Sequence, residues 1–430
     1  MMKAKVITLG CKVNQYESEA MLSSLLQHGF AAAEDKETAD VVILNSCTVT
    51  AESDRKVRQI FRRAKKDNPD AVMVLTGCMA QAFPEDARRL EEADIILGTS
   101  NRKRLVPDLL AFLSARQRII DIAPHTNDEK FENLNVENFT GRTRAFVKIE
   151  DGCIRFCSYC IIPYARGRVR SKPLEDLKAE LAGLGANGYK EVVLTGINLS
   201  AYGQEFGLHL CDAIEAACAT PGIERVRLGS LEPEQLSEDV IRRMAKQKKL
   251  CPQFHLSLQS GCDATLKRMN RHYTADEYRT IVRNLRAAFE NAAITTDIMV
   301  GFAGETDEEF AESLAFAEEI AFAKVHVFAY SRRPGTRAYD MGDQLTNAVK
   351  EARSHEMIRV TTATQQAFFK AQIGRTEEVL FEREIQKGVW EGYSMNYTPV
   401  AVASGTSLAG EIRSVRIESC TDTHCMGAVL

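Results

Sequence analysis

The sequence lacks several features that would assign it to a class at once. No apolar run approaches the roughly 20 residues that a membrane-spanning helix needs, which argues against a membrane-embedded protein. The first residues, Met1–Leu9, contain neither a long apolar stretch nor a small-residue cleavage site, so they predict a first strand and not a signal peptide. We therefore expect a cytoplasmic protein with no membrane partner.

An excess of basic charge is also missing. The 430 residues include 55 Lys and Arg against 59 Asp and Glu, with a pI of about 6.1, which argues against a strong non-specific grip on RNA. Any RNA contact would come from local basic runs, and the candidates are residues 62–66, 102–104 and 166–172. Each of these runs could equally be a solvated helix face or loop. The eight histidines form no i, i+4 pair of the metalloprotease type.

Cysteine, in contrast, is abundant. Twelve cysteines are many for a chain in a reducing compartment, where clustered cysteines indicate metal or redox chemistry. Three of them follow the same pattern of an apolar run, a small residue and then the cysteine, at Cys11, Cys47 and Cys78. Helical patterns over 17–28 and 53–66 separate these runs, so a parallel sheet is predicted. The carboxyl ends of its strands share one edge, which brings the three cysteines together there.

The pattern of elements divides the chain into three predicted domains. Residues 1–122 form an N-terminal parallel α/β sheet domain, and 123–139 lose periodicity and predict a linker. Residues 140–371 contain six strand–helix units, too few for a closed eight-stranded barrel, so an open, partial (β/α)6 barrel is expected. Residues 372–430 contain four short β-rich runs that predict a small all-β barrel. The fold class is therefore α/β with an all-β C-terminal module.

The sharpest motif is the CxxxCxxC formed by Cys153, Cys157 and Cys160, directly after the first strand of the second domain. Cubane clusters ordinarily take four cysteines, so three thiolates leave one iron open, which is typical of a catalytic metal site. A zinc site completed by a histidine is an alternative, although no histidine lies in the loop. Three buried apolar cysteines within eight residues would be a coincidence. A cluster is the prediction that fits the spacing.

This motif resembles the signature of radical S-adenosylmethionine (SAM) enzymes. The resemblance implies a partial (β/α)6 barrel whose open iron binds the amino and carboxylate groups of SAM. It also implies that an electron from the cluster cleaves SAM to a 5′-deoxyadenosyl radical. Such a radical takes hydrogen from C–H bonds that acid–base groups cannot activate.

A closer resemblance is to the methylthiotransferases within that superfamily. It rests on the segments around Cys11, Cys47 and Cys78, on the block 152–168, and on a C-terminal stretch at 392–399 that is similar to the RNA-binding TRAM module. It implies that Cys11, Cys47 and Cys78 hold a second [4Fe-4S] cluster, which delivers sulfur. One SAM would methylate that sulfur, and a second would supply the radical.

The segments Thr-Leu-Gly-Cys-Lys-Val-Asn and Pro-Tyr-Ala-Arg-Gly are most similar to the branch that acts on carbon 2 of N6-threonylcarbamoyladenosine at position 37 of tRNA. The expected partners are the tRNA anticodon loop, an electron donor such as flavodoxin or ferredoxin, and a sulfur source. As the resemblance implies, the SAM contacts would be Tyr159, Thr195, Gly196, Glu232, Gln259 and Asp297.

Other interpretations remain open at this point. The substrate could be isopentenyladenosine in tRNA, an aspartate of a ribosomal protein, or another RNA or protein. A non-catalytic iron–sulfur or zinc protein that binds RNA is the alternative outside enzymes. Residues 372–430 contain five basic and eight acidic residues, so phosphate binding would fall to a single face of this module or to other domains.

Overall fold

The computed structural model describes residues 1–34, 37–134, 136, 139 and 142–430. Its parallel sheets with flanking helices and its closed C-terminal β-barrel confirm the predicted fold class. The predicted linker over 123–139 and the predicted domain start at 140 fall partly on residues outside this described set. The domain boundaries therefore stay predictions.

The N-terminal region is built around a six-stranded sheet whose strands pair in parallel, in the order β2-β1-β3-β4-β5-β6. Its central strands are β-branched and buried along their whole length, as a sheet covered by helices on both faces requires. The strands are β1 Lys3–Thr8, β2 Ala31–Ala32, β3 Val41–Ser46, β4 Val72–Gly77, β5 Ile95–Leu97 and β6 Ile119–Asp121. The helices are α1 Lys12–Gln27, α2 Ala51–Asp67, α3 Cys78–Ala82, α4 Pro84–Arg88 and α5 Leu105–Ala115.

The central region forms an open barrel from two neighbouring parallel sheets, β11-β10-β7 and β12-β13-β14-β15. Gly229 interrupts the third strand unit, so its two halves, β11 and β12, pair with different neighbours. The strands are β7 Arg144–Lys148, β10 Glu191–Thr195, β11 Arg225–Leu228, β12 Ser230–Leu231, β13 Gln253–Leu256, β14 Ala293–Val300 and β15 Lys324–Ala329, with a small antiparallel pair, β8 Glu150–Asp151 and β9 Arg170–Ser171, beside them.

Helices cover the outside of this barrel and bury its apolar core. Helix α12 begins after Thr306, whose hydroxyl accepts from the backbone of Glu309 while the Glu309 carboxylate accepts from the backbone of Thr306, which is a capping box. The helices are α6 Ile162–Arg166, α7 Leu174–Ala186, α8 Leu210–Ala219, α9 Glu238–Ala245, α10 Asp263–Arg268, α11 Ala275–Ala288, α12 Asp307–Ile320 and α13 Asn347–Lys370.

The C-terminal region is a closed barrel of five strands in the order β16-β17-β18-β20-β19. Four of them match the β-rich runs of the sequence, and the fifth, β20, completes the closure. The strands are β16 Thr376–Gln386, β17 Val389–Ser394, β18 Pro399–Ala403, β19 Ile412–Cys420 and β20 Cys425–Val429. Among the described residues, the longest helices are too short or too polar to cross a membrane.

Candidate active site

The CxxxCxxC motif forms a tight loop between β8 and α6. Gly152 precedes it with a φ of 88°, and a Cβ there would lie 1.9 Å from the carbonyl oxygen of Arg168, so only glycine fits. The Cys160 amide donates to the Cys157 carbonyl at 2.9 Å, which closes the turn. Phe156 has a φ of 47° and is held by the Asn270 side chain, which donates to its carbonyl. The local backbone thus curls the three cysteines around a common side.

The loop's thiols lie close enough to affect one another. Burial raises the pKa of Cys153 to about 12, and the neighbouring Cys157 adds to the shift. Burial and the charge of Cys157 also raise the pKa of Cys160. Buried thiols in this state are held protonated, whereas a metal ion deprotonates a coordinating thiol outright. The site therefore suits thiolates only when a metal group is bound between them.

Arg271 links this loop to the ends of the barrel strands. Its guanidinium donates to the Cys157 Sγ at 3.3 Å, to a Glu232 carboxylate oxygen at 2.5 Å and to the Ser257 carbonyl at 3.0 Å. The side chain is almost fully buried. Arg271 places a permanent positive charge beside one cysteine of the motif. The sequence analysis did not predict this role, because no local sequence pattern distinguishes Arg271 from other arginines.

The second cysteine trio lies at the carboxyl edge of the N-terminal sheet. Cys11 caps helix α1, Cys47 follows β3, and Cys78 is the first residue of α3 after β4. The preceding small residues have a steric reason: Gly10 has a φ of 122° and a Cβ there would lie 3.0 Å from the Cβ of Cys47. At Gly77 a Cβ would lie 2.4 Å from the Ser46 carbonyl oxygen. The close approach of neighbouring loops brings the three cysteines together.

These thiols also interact electrostatically. Burial raises the pKa of Cys47 to about 12, with further contributions from Cys78 and Cys11. Burial likewise raises the pKa of Cys78, although the Arg166 guanidinium, whose Nε lies 3.2 Å from its Sγ, acts in the opposite direction. This trio resembles the first one in having an arginine beside one of its thiols, but it is more open, because Cys78 is buried, Cys47 is partly buried and Cys11 is exposed.

The spread of the sulfur atoms distinguishes between metal groups. A single tetrahedral zinc, with Zn–S bonds of about 2.3 Å, would bring its sulfurs to within about 4 Å of one another. Among the described residues, one group of His, Cys, Asp or Glu has all its ligand atoms within 4.8 Å, and it is His255, Asp297 and His326. Both cysteine trios are spread more widely. A cubane cluster, in which each thiolate binds a different iron, does not require its three sulfurs to lie so close together.

A buried ionic network joins the two cysteine sites. Arg166, at the end of α6, donates to Glu17 of helix α1, and Lys148 of β7 donates to the same carboxylate at 2.7 Å. Arg102 lies 3.0 Å from Glu17, and Asp151 pairs with Lys148. All five side chains are buried. The net effect of these cations lowers the pKa of Glu17 to about 2, although burial by itself opposes ionisation.

This network corrects one prediction. The run 166–172 does not form a basic patch, because Arg166, Arg170 and Lys172 are buried in ion pairs and only Arg168 of its basic residues is exposed. In the run 102–104, Arg102 is likewise internal. Burial of these four cations beside carboxylates removes them from the surface, whereas Lys103 and Arg104 stay exposed.

A cavity of about 880 Å³ lies between the three regions of the chain. Cys11 and Lys12 line it from the N-terminal region, Thr195 and Asp297 from the barrel strands, and Tyr393 and residues 396–399 from the C-terminal barrel. This volume falls within the range of small-molecule sites. Partial removal from water inside the cavity, together with the charges of Arg227 and Arg144, lowers the pKa of Lys12 to about 8.

The residues predicted to contact SAM divide into two groups. Thr195, Gly196 and Asp297 line the cavity. Tyr159 instead packs edge-on against Phe302, while Glu232 is bound by Arg271, so both lie beside the CxxxCxxC loop. Gln259 has a φ of 70° and its amide donates to the Asp297 carbonyl at 2.8 Å.

Two histidines on the cavity wall were not predicted. His255 Nε2 lies 3.3 Å from an Asp297 carboxylate oxygen, and its ring lies 6.0 Å from that of His326. They project from β13 and β15, the two strands that flank β14. The alternation within each strand could have indicated that these residues share a face, but not that the face is the cavity wall.

Comparisons with known proteins agree with this arrangement. Residues 3–98 match a family described as uncharacterized protein family UPF0004, and residues 147–317 match the radical SAM superfamily. The chain is 37% identical to the threonylcarbamoyladenosine tRNA methylthiotransferase MtaB of Thermotoga maritima, over 98% of this chain and 96% of that protein. It is 36% identical to the Bacillus subtilis protein of the same name, over 95% and 92%.

A different substrate appears among the relatives as well. The chain is 34% identical to a tRNA-2-methylthio-N(6)-dimethylallyladenosine synthase of Pelotomaculum thermopropionicum, over 99% of this chain and 97% of that protein. Among solved structures, a radical SAM methyltransferase, TsrM, from Kitasatospora setae has a TM-score of 0.57 at 15% identity, covering 79% of this chain and 74% of that one. That likeness concerns the fold alone.

Proposed function

The chain belongs to the radical SAM methylthiotransferases, and from that premise we propose that it transfers a methylthio group to carbon 2 of N6-threonylcarbamoyladenosine at position 37 of tRNA. The observation that carries the proposal is the shared cavity: Cys11 of one cysteine trio and Thr195, Gly196 and Asp297 at the barrel strands line the same space. A sulfur-delivering site and a radical-generating site must face one substrate atom, and this cavity joins Cys11 to the ends of the barrel strands where SAM would bind.

The cysteines are assigned by their places in the fold. Cys153, Cys157 and Cys160 would hold the [4Fe-4S] cluster that binds SAM, and Cys11, Cys47 and Cys78 would hold the auxiliary cluster. When bound, these groups supply the radical chemistry and the sulfur. Arg271 and Arg166 would each hold a positive charge against one cluster ligand, and the buried network at Glu17 would fix the distance between the two sites.

The remaining contacts follow from the same arrangement. Thr195, Gly196 and Asp297 would meet SAM from the cavity side, and Tyr159, Glu232 and Gln259 from the loop side. An adenine in a helix could not reach this space, whereas an anticodon-loop base can be splayed out and stacked in a pocket. We expect the reaction to occur in the cytoplasm, with flavodoxin or ferredoxin as electron donor and a separate sulfur source.

The first test is anaerobic reconstitution of the full chain. We expect about eight irons per chain, the content of two cubane clusters, and reductive cleavage of SAM. Cys157→Ala should lose about four irons and all SAM cleavage, whereas Cys47→Ala should lose about four irons and keep SAM cleavage without methylthio transfer. Cys211→Ala is the matched control, since Cys211 is buried in the barrel core. Tightly bound zinc without SAM cleavage would refute the assignment of the loop.

The second test identifies the substrate. Nucleosides of tRNA from a deletion strain, analysed by mass spectrometry, should lack 2-methylthio-N6-threonylcarbamoyladenosine and should accumulate its unthiolated precursor. Complementation with the wild-type gene should restore the product, and a gene encoding Cys157→Ala should not. Loss of the methylthio derivative of isopentenyladenosine instead would assign the chain to the other tRNA branch.

A further inference from the structure

Lys12 is a lysine with an unusual position. It is the first residue of helix α1, directly after the proposed cluster ligand Cys11, and its side chain is exposed to the cavity. Its ammonium makes no hydrogen bond or ion pair with any described residue, in a chain where most internal cations are paired. The helix N-terminus beside it adds further positive potential.

The wall behind Lys12 carries more positive than negative charge. Arg227 and Arg144 are close enough to act on Lys12 electrostatically, and Arg225 adjoins them on β11. Three carboxylates face these three arginines: Glu191 accepts from Arg227 at 2.8 Å, Glu382 lies 2.6 Å from Arg144, and Glu378 is close enough to act on Arg225 electrostatically. With Lys12 there are four cations against three carboxylates, so an anion that enters this part of the cavity would be stabilised.

Most of the other charges on the cavity wall have partners. Asp297 pairs with His255, and Glu391 accepts from both Arg383 and His424. Lys324, at the start of β15, also lines the cavity and is exposed, but it lies at a distance in sequence from the proposed cluster ligands. Lys12 is therefore the cation that is both unpaired and adjacent to a sulfur-site cysteine.

We propose that Lys12 binds the carboxylate of the threonylcarbamoyl group and thereby selects this substrate over an adenine with a neutral N6 substituent. This inference rests on the proposed function. In adenine, only N1 and C6 separate carbon 2 from the N6 atom, so a base that presents carbon 2 to the Cys11 site places its N6 substituent beside that site. The next residue along the chain is Lys12, which offers three N–H donors and a positive charge.

The test removes the charge from each partner in turn. An anticodon stem–loop RNA is prepared with N6-threonylcarbamoyladenosine or with its carboxamide analogue, which has the same shape and no charge. Binding by the reconstituted protein is measured without SAM, and kcat/KM is measured with SAM. Wild type should prefer the carboxylate by about 10- to 100-fold, as for a charged hydrogen bond. Lys12→Gln should lose this preference, because it weakens binding of the carboxylate RNA and leaves binding of the carboxamide RNA unchanged. Lys12→Arg should keep part of the preference.

Lys324→Gln is the matched control, since it removes a lysine from the same cavity, and it should retain the preference. Equal binding of the two RNAs by wild type, an unchanged preference in Lys12→Gln, or a lost preference in Lys324→Gln would each overturn the assignment. The binding measurement needs no turnover. If wild type cleaves SAM but never thiolates the carboxylate RNA, the proposed function fails, while the binding preference still decides the role of Lys12.

Discussion

Two arginines occupy equivalent chemical positions at the two cysteine sites. Arg166 donates to Cys78 at 3.2 Å and Arg271 donates to Cys157 at 3.3 Å, and both guanidinium groups are buried. Reduction adds a negative charge to a cluster, and a nearby donor with a fixed positive charge stabilises that charge. Each arginine should therefore make its cluster easier to reduce.

Replacing Arg271 with Gln should shift the midpoint potential of the radical cluster to more negative values. Loss of one charged hydrogen bond in a one-electron couple corresponds to a shift on the order of 50–100 mV. The measurement is a redox titration followed by electron paramagnetic resonance, in a Cys47→Ala background that leaves one cluster.

The exposed Arg279→Gln change on α11 is the control for that titration, because its guanidinium pairs with Glu319 far from the cysteines. Iron content must match between the variants. A potential that stays unchanged in Arg271→Gln, with a full complement of iron, would show that Arg271 has a purely structural role.

Among the helices and strands, helix α1 has a start and a buried residue that its apolar pattern does not predict. The apolar pattern predicts a helix from Glu17, but the helix begins at Lys12, with Cys11 as its N-cap residue. The Cys11 side chain makes no capping hydrogen bond, so the sequence carries no capping signal at this position. Glu17 is fully buried in its second turn, where an amphipathic pattern would not place a carboxylate. The cause is tertiary: Arg166, Lys148 and Arg102 come from three other elements to neutralise it.

Removing the Glu17 charge should therefore lower the free energy of unfolding. In Glu17→Gln the buried Arg166 and Lys148 would lose their main carboxylate, and breaking a buried ion pair costs about 3–5 kcal/mol of the free energy of unfolding. Denaturant unfolding of matched samples measures this loss. Glu52→Gln on α2 is the control, since its pair with Arg55 is exposed to solvent and its loss should change the free energy of unfolding little. Equal losses in the two variants would contradict the role of the network.

The same carboxylate gives a pH dependence with a defined sign. The pKa of Glu17 is about 2 in the folded chain, below the ordinary value of 4.5. A lowered folded-state pKa adds stability above pH 4.5, and that stability is lost as the pH falls from 4.5 towards 2. The difference in free energy of unfolding between wild type and Glu17→Gln should therefore shrink by roughly 3 kcal/mol over that range. Iron-free protein is used, because acid protonates cluster ligands; a constant difference would contradict the assignment.

Over the whole molecule, features that depend on residues close together in the sequence could be predicted from it. The fold class follows from strand–helix alternation, and the steric need for Gly10, Gly77 and Gly152 explains the small residues beside the cysteines. The contacts of Arg271 with Cys157 and of Arg166 with Glu17 could not be predicted, because they join residues more than 100 positions apart. The strand β20 was missed because its short run, which contains Gly427, lacks the β-branched pattern of its neighbours.

The attachment of the C-terminal barrel is another long-range feature. The end of β17 and the loop after it pack on the open barrel: the ring centroids of Tyr393 and Tyr397 lie 4.6 Å apart in a stack, and the Arg144 guanidinium lies 5.1 and 5.0 Å from them. Arg227 lies 4.6 Å from the Tyr397 ring and donates to the Met395 carbonyl. The module predicted to bind RNA thus also forms one wall of the cavity. The shape of the substrate site therefore depends on how this module packs against the open barrel.

Replacing Tyr397 with Asn should loosen this seating. Asn tolerates the φ of 70° at this position, so the change removes the ring and its contacts with Arg144 and Arg227, each worth about 0.5–2 kcal/mol, without adding backbone strain. Hydrogen exchange should become faster in β17 and β18 and at the start of β7, while α7 and α8 keep their protection. Phe206→Asn, which removes a half-exposed ring elsewhere, should leave those strands unchanged. If exchange in β17 and β18 were the same in Tyr397→Asn as in wild type, the arginine–tyrosine contacts would not be what holds the C-terminal barrel against the cavity.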